Sequence, residues 1–155
     1  MPDDAALRDW IEAALTSERS APVRVRQVAR QPVNESASHR LERIDAITDD
    51  GTSFDFALKH VGPAGLLDAA QRTRPDLAGD SRREGQIYRL LHDVGVNGVP
   101  RLLAEHHDPS GDGSWLLLEW VEGTLLWRLA DPDAWLATAR WAARLPGRFR
   151  VNNAP

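Results

Sequence analysis

The chain has 155 residues, 42% of them hydrophobic and 27% charged, with no cysteine; this excludes a disordered tail, a collagen-like repeat and a disulfide-stapled secreted module. A net charge of −4, from 19 basic and 23 acidic residues, argues against whole-molecule attraction to nucleic acid or anionic lipid. No apolar run approaches the roughly 20 residues of a membrane span, and Met1-Pro2-Asp3-Asp4 does not open a signal peptide, so a cytoplasmic domain without nucleic-acid or membrane partners is expected.

Residues 4–17 carry Leu7, Trp10, Ile11, Ala14 and Leu15 at helical spacing, with Asp3 or Asp4 available as cap. Three extended segments follow, at 22–33, 41–48 and 53–61; Asp50-Gly51 between the last two is a hairpin signal, and the polar stretch 34–40 is read as another hairpin loop. A short helix is expected near 64–72 and a longer one over 82–94, ended by Gly95 and Gly98. Strands at 101–107 and 114–121 flank a Pro/Gly/Asp turn, and a last helix begins at the Asp131 cap with Pro132 in its first turn and stops at Pro146-Gly147. Consecutive strands joined by tight turns imply an antiparallel sheet, so the expected class is α+β: five antiparallel strands with one long helix packed across them, plus an N-terminal and a C-terminal helix. Arg24, Arg26 and Arg30 are read as a solvated strand face.

Of the 19 basic residues, 18 are arginine, and the single lysine is Lys59. Alternation in the third strand puts Phe54, Phe56 and Leu58 on a core face and Asp55, Ala57, Lys59 and Val61 on the other. A small alanine beside the ammonium leaves room for a flat ligand whose phosphates the lysine could reach; an ordinary surface lysine satisfies the same spacing. Glu84 precedes Ile87, Tyr88 and Leu91 on one helix face. A carboxylate facing a core calls for a cation, whereas Ser81-Arg82-Arg83-Glu84 also fits a capping box. The apolar run Trp115–Val121 breaks at Gly123, where backbone groups could bond the edge of a heterocycle or simply enter a glycine turn.

The succession Phe-Ala-Leu-Lys-His, Arg-Glu-x-x-x-Tyr-Arg-Leu-Leu, Gly-Val-Pro-Arg-Leu-Leu and Leu-Leu-Leu-Glu-Trp-Val-Glu-Gly resembles the amino-terminal lobe of the aminoglycoside phosphotransferase and choline kinase-like family, small-molecule kinases with the protein-kinase fold. The resemblance covers roughly residues 22–145. It implies that Lys59 holds the α- and β-phosphates of ATP or GTP with Glu84 as its ion-pair partner, and that Ala57 packs on the base. It further implies that the Glu119 carbonyl and Val121 amide bond the purine edge, that Leu118 guards the back of the pocket, and that Ser36 and Ser38 contact phosphates from the loop 34–40.

The same resemblance places the catalytic aspartate and the magnesium ligands on a second lobe. His106-His107-Asp108 lacks an asparagine five positions on, where Gly113 stands, and adjacent strand histidines point to opposite faces. The chain thus divides into an N-terminal helix (1–20), a kinase-like lobe (21–123), and the linker and first helix of a truncated second lobe (124–155). No catalytic residue is assigned, and Mg2+ is expected only if a second lobe is supplied. Trp127, Trp135 and Trp141 form an expected apolar patch, to be met by a separate polypeptide or by self-association. The competing reading is a non-catalytic, pseudokinase-like interaction module.

Overall fold

The computed structural model describes residues 2–34, 38–72, 80–108, 111 and 113–148. Helix α1 (Asp4–Arg19) leads into strands β1 (Val25–Pro32), β2 (Leu41–Thr48) and β3 (Ser53–Val61). A 3-10 turn (Pro63–Gly65) and the short helix α2 (Asp68–Gln71) precede helix α3 (Arg83–Asp93), strands β4 (Leu102–His107) and β5 (Ser114–Glu119), a second 3-10 turn (Leu126–Arg128) and helix α4 (Pro132–Arg148). The strands form one antiparallel sheet in the order β1-β2-β3-β5-β4. The expected α+β class and five-stranded sheet are observed.

Helix α1 starts where the Asp3 carboxylate accepts the Ala6 amide at 2.8 Å, a side-chain cap that supplies one of the partners a helix start lacks. Leu7, Ile11 and Leu15 are almost fully buried against Ile44, Ala46, Phe56, Leu58, Trp115 and Leu117. The main core therefore lies between α1 and the sheet. A second, smaller apolar cluster of Ala57, Val61, Leu116 and Leu118 lies on the opposite face, beside Tyr88 of α3. The N-terminal helix α1 thus covers one face, and the expected long helix α3 lies on the other.

Several boundaries differ from expectation for identifiable reasons. The chain joins the sheet at Val25 because the Val23 amide donates to the Thr16 hydroxyl (3.0 Å), and the Val25 amide itself goes to Glu12 (2.8 Å). β5 ends at Glu119, with the Trp120 amide making one last bond to the Asp55 carbonyl (3.4 Å). The expected helix at 64–72 is two short turns, and α4 continues past Pro146-Gly147 to Arg148; a proline removes one amide donor, and the final turn is completed across it. Arg30 is not solvated: its side chain is 18% exposed and pairs with Glu42 (2.6 Å) and Asp4 (3.3 Å). No helix among the described residues is long and apolar enough to cross a membrane.

His60 is buried with its ring stacked 3.9 Å from Trp115. The backbone of Gly65 lies so close that a Cβ there would strike the His60 carbonyl. Burial above all, with the Arg40 charge among the smaller causes, pushes the His60 imidazole down to about 4. Its folded pKa lies below the unfolded value of about 6.5, so the unfolded chain binds the extra proton and stability falls as pH drops from about 6.5 towards 4. Urea unfolding across that range should show this slope, and His60→Phe, which keeps a ring over Trp115, should flatten it.

Candidate functional site

Strand pairing builds the floor of a cleft. Ala57 stands opposite Leu118 and Lys59 opposite Leu116 across β3 and β5, while Leu41 faces Lys59 from β2. Because side chains alternate along a strand, Leu41, Ala57, Lys59 and Leu118 share the face turned away from α1. They line a cleft of about 350 Å³ with Tyr88 on its far wall and Glu119 to Val121 at its mouth. Ala57 and Leu118 are buried, whereas Val121 is exposed. The cleft is lined mainly by apolar side chains, with the Lys59 ammonium among them.

That ammonium is in contact with Glu84: Lys59 Nζ lies 2.5 Å from Glu84 Oε1, with the side chains 22% and 28% exposed. The capping box does not form. The residue flanking the start of α3 is Arg82, which has no side-chain cap; its amide is instead taken by the Asp80 carboxylate at 2.9 Å. Ser81 is buried and accepts from the Ser114 hydroxyl at 3.1 Å. With Ser81 engaged across the fold, the Glu84 carboxylate is directed at the strand. Tyr88, one turn on, is pushed up to about 12, chiefly by burial and secondarily by the Glu84 charge.

The mouth is shaped by backbone. The Glu119 amide donates to the Arg101 carbonyl (2.9 Å), so this residue's hydrogen-bonding edge is turned away from β3. Beyond it, Arg43 of β2 gathers Asp45 (3.2 Å), Asp55 (3.0 Å) and Glu122 (3.4 Å), and its guanidinium lies 4.9 Å from the centre of the Trp120 ring. Trp120 Nε1 donates to Glu122 at 2.9 Å. The segment leaving the sheet is thus tied to β2 and β3 by one planar cation, the geometry for which arginine suits better than lysine.

Of the serines expected over the phosphates, Ser36 lies outside the described residues. Ser38 hydrogen-bonds the His39 ring (3.1 Å) and does not line the cleft. The loop before β2 is anchored to the segment after β3, through a bridge between His39 and Leu66 and a bond from the Arg40 amide to the Gly65 carbonyl (2.8 Å). His106 stacks on Trp10 at 4.6 Å, while His107 bonds Ser114 at 2.7 Å, on opposite faces of β4. No group of three or more metal-ligating side chains occurs among the described residues. Leu41, Tyr88, Trp120 and Arg43 were not singled out as site residues. Strand register would have found Leu41, and helical spacing from Glu84 would have found Tyr88; Arg43 carries no local signal.

A family model described as the phosphotransferase enzyme family (APH) matches residues 30–149, the stretch that contains every wall of this cleft. Comparison with curated proteins and with solved structures gives no match.

Tyr88 is the sole tyrosine, so tyrosinate absorbance reads it alone. Its folded pKa is raised above the unfolded value near 10, so the folded state retains the proton longer and loses stability as pH rises from about 10 to about 12. The absorbance midpoint should lie near 12 in the native protein and fall in Glu84→Gln; an unshifted midpoint in the variant would separate Tyr88 from the Glu84 charge.

Proposed function

The chain belongs to the phosphotransferase enzyme family, and within it we propose that these residues form the nucleotide-binding lobe of a small-molecule kinase with ATP or GTP as phosphate donor. The observation that carries this reading is a partly shielded ammonium, held by a carboxylate, in the lining of a mainly apolar cleft. A polyphosphate has lost much of its hydration when it enters such a slot, and an ammonium fixed beforehand supplies charge without being reordered. Glu84 holds Lys59 in place. Ala57 leaves the thickness of a ring above the sheet, Leu118 closes the back, and the Glu119 carbonyl and Val121 amide bond the purine edge. From the loop before β2 this reading keeps Ser36 as a phosphate donor and gives Ser38, which is bonded to His39 and lies off the cleft, no such part.

Transfer of the terminal phosphoryl group to a hydroxyl of a small acceptor requires a residue that orients the acceptor and ligands for Mg2+. In this reading a second lobe supplies both, and a cytoplasmic setting agrees with the absence of cysteine. The surface for that lobe is the run that continues from the cleft mouth: Val121, Trp127, Trp135 and Trp141 are 60%, 64%, 49% and 37% exposed. Exposed tryptophans in such number also favour the second reading, a non-catalytic module that docks a partner through α4.

Calorimetric titration of ATP tests the first reading. The wild type should bind weakly and Lys59→Ala should bind roughly 10 to 100 times more weakly, the usual loss for a hydrogen bond to a charged group. Equal affinity in both, or no binding in either, would favour the docking module.

A further inference from the structure

Helix α3 carries Glu84, yet little apolar surface holds it down. Gly85 is the buried residue of the helix, and Ile87 and Leu90 are 44% and 48% exposed; the reading that aimed Ile87 inward is corrected, because α3 rests on its Glu84-Gly85-Tyr88 side and leaves Ile87 on the open flank. Its attachments are polar instead: Ser81 to Ser114, Glu84 to Lys59, and Arg89 to Glu105.

Glu105 of β4 is unusual among these partners. Its side chain is 2% exposed and its carboxylate sits against Gly85 of the helix, where a Cβ would require that carboxylate to shift. Arg89, one turn beyond Gly85, pairs with Oε2; Oε1 accepts no hydrogen bond among the described residues and has His107 Nε2 at 3.5 Å. A carboxylate this enclosed and this incompletely partnered is costly, and an apolar side chain of similar volume would commonly be as stable or more so. Its position is informative: Gly85 and Arg89 bracket it, and Gly85 is the neighbour of Glu84.

We propose that Glu105 is a positioning residue that sets the height and register of α3 on the sheet and thereby delivers the Glu84 carboxylate to Lys59. The proposal rests on the nucleotide reading for its functional consequence and on the packing of α3 for its physical one. Removing the charge leaves Arg89 unpaired and the helix with fewer ties, so α3 shifts and Lys59 loses its restraint.

The test uses ATP with the wild type, Glu105→Gln, Glu84→Gln and the double variant, together with amide hydrogen exchange across α3 in the ligand-free protein. Glu105→Gln should weaken ATP roughly tenfold in the wild-type background and cause no further loss in Glu84→Gln, the non-additivity expected of residues acting through one another. Exchange over residues 84–88 should quicken in Glu105→Gln. A loss of equal size in both backgrounds, wild-type affinity in Glu105→Gln, or unchanged exchange would overturn the proposal. Arg89→Gln, which removes an exposed side chain, should reproduce the effect if Glu105→Gln fails to fold. Should the wild type bind no ATP, the nucleotide reading falls, while the exchange measurement alone still decides whether Glu105 positions the helix.

Discussion

An ammonium on a strand and a carboxylate on a helix, 2.5 Å apart and mostly shielded from water, constrain much of what surrounds them. Neither is tolerable alone at that depth, because a partly buried charge without its partner pays for desolvation with nothing in return. Together they tie β3 to α3, and α3 has little apolar contact with which to tie itself. The pair is at once a structural link and the chemical feature of the cleft: the force that locates the helix is the force that aims the lysine.

The division of labour between the faces of the sheet follows. α1 supplies the deep core through Leu7, Ile11 and Leu15, packed on one face of the sheet. That leaves the other face free to carry small and polar residues, Ala57 and Lys59 among them, without losing the fold. A thin apolar cluster and a set of ion pairs suffice there. Arg43 extends the pattern to the cleft mouth, binding three carboxylates and one indole where the chain leaves the sheet.

What could be read from the residues alone was what short-range periodicity controls. The faces of β3 follow from a period of two, so the placement of Ala57 and Lys59 opposite Phe56 and Leu58 was legible, as was the Asp50-Gly51 hairpin, where Gly51 takes a φ of 84°. Competition between local and distant partners was not legible. Ser81 and Glu84 satisfy a capping pattern in sequence, but the Ser114 hydroxyl and the Lys59 ammonium, 33 and 25 positions away, take them both. Helix α1 was recognisable as amphipathic, although nothing in its own residues says which sheet face it covers. Ile87 shared the spacing of an inward residue and lies outward because the contact ridge of α3 is set by Gly85 over Glu105, a fit between two elements that neither announces alone.

The presence of one lysine makes the central claim directly observable. Labelling lysine side-chain nitrogen gives a single ammonium signal in the magnetic resonance spectrum. The account predicts a signal protected from solvent exchange in the wild type, shifted on addition of ATP, and broadened by exchange in Glu84→Gln. An ammonium that exchanges freely in the wild type and ignores both ATP and the loss of Glu84 would contradict it.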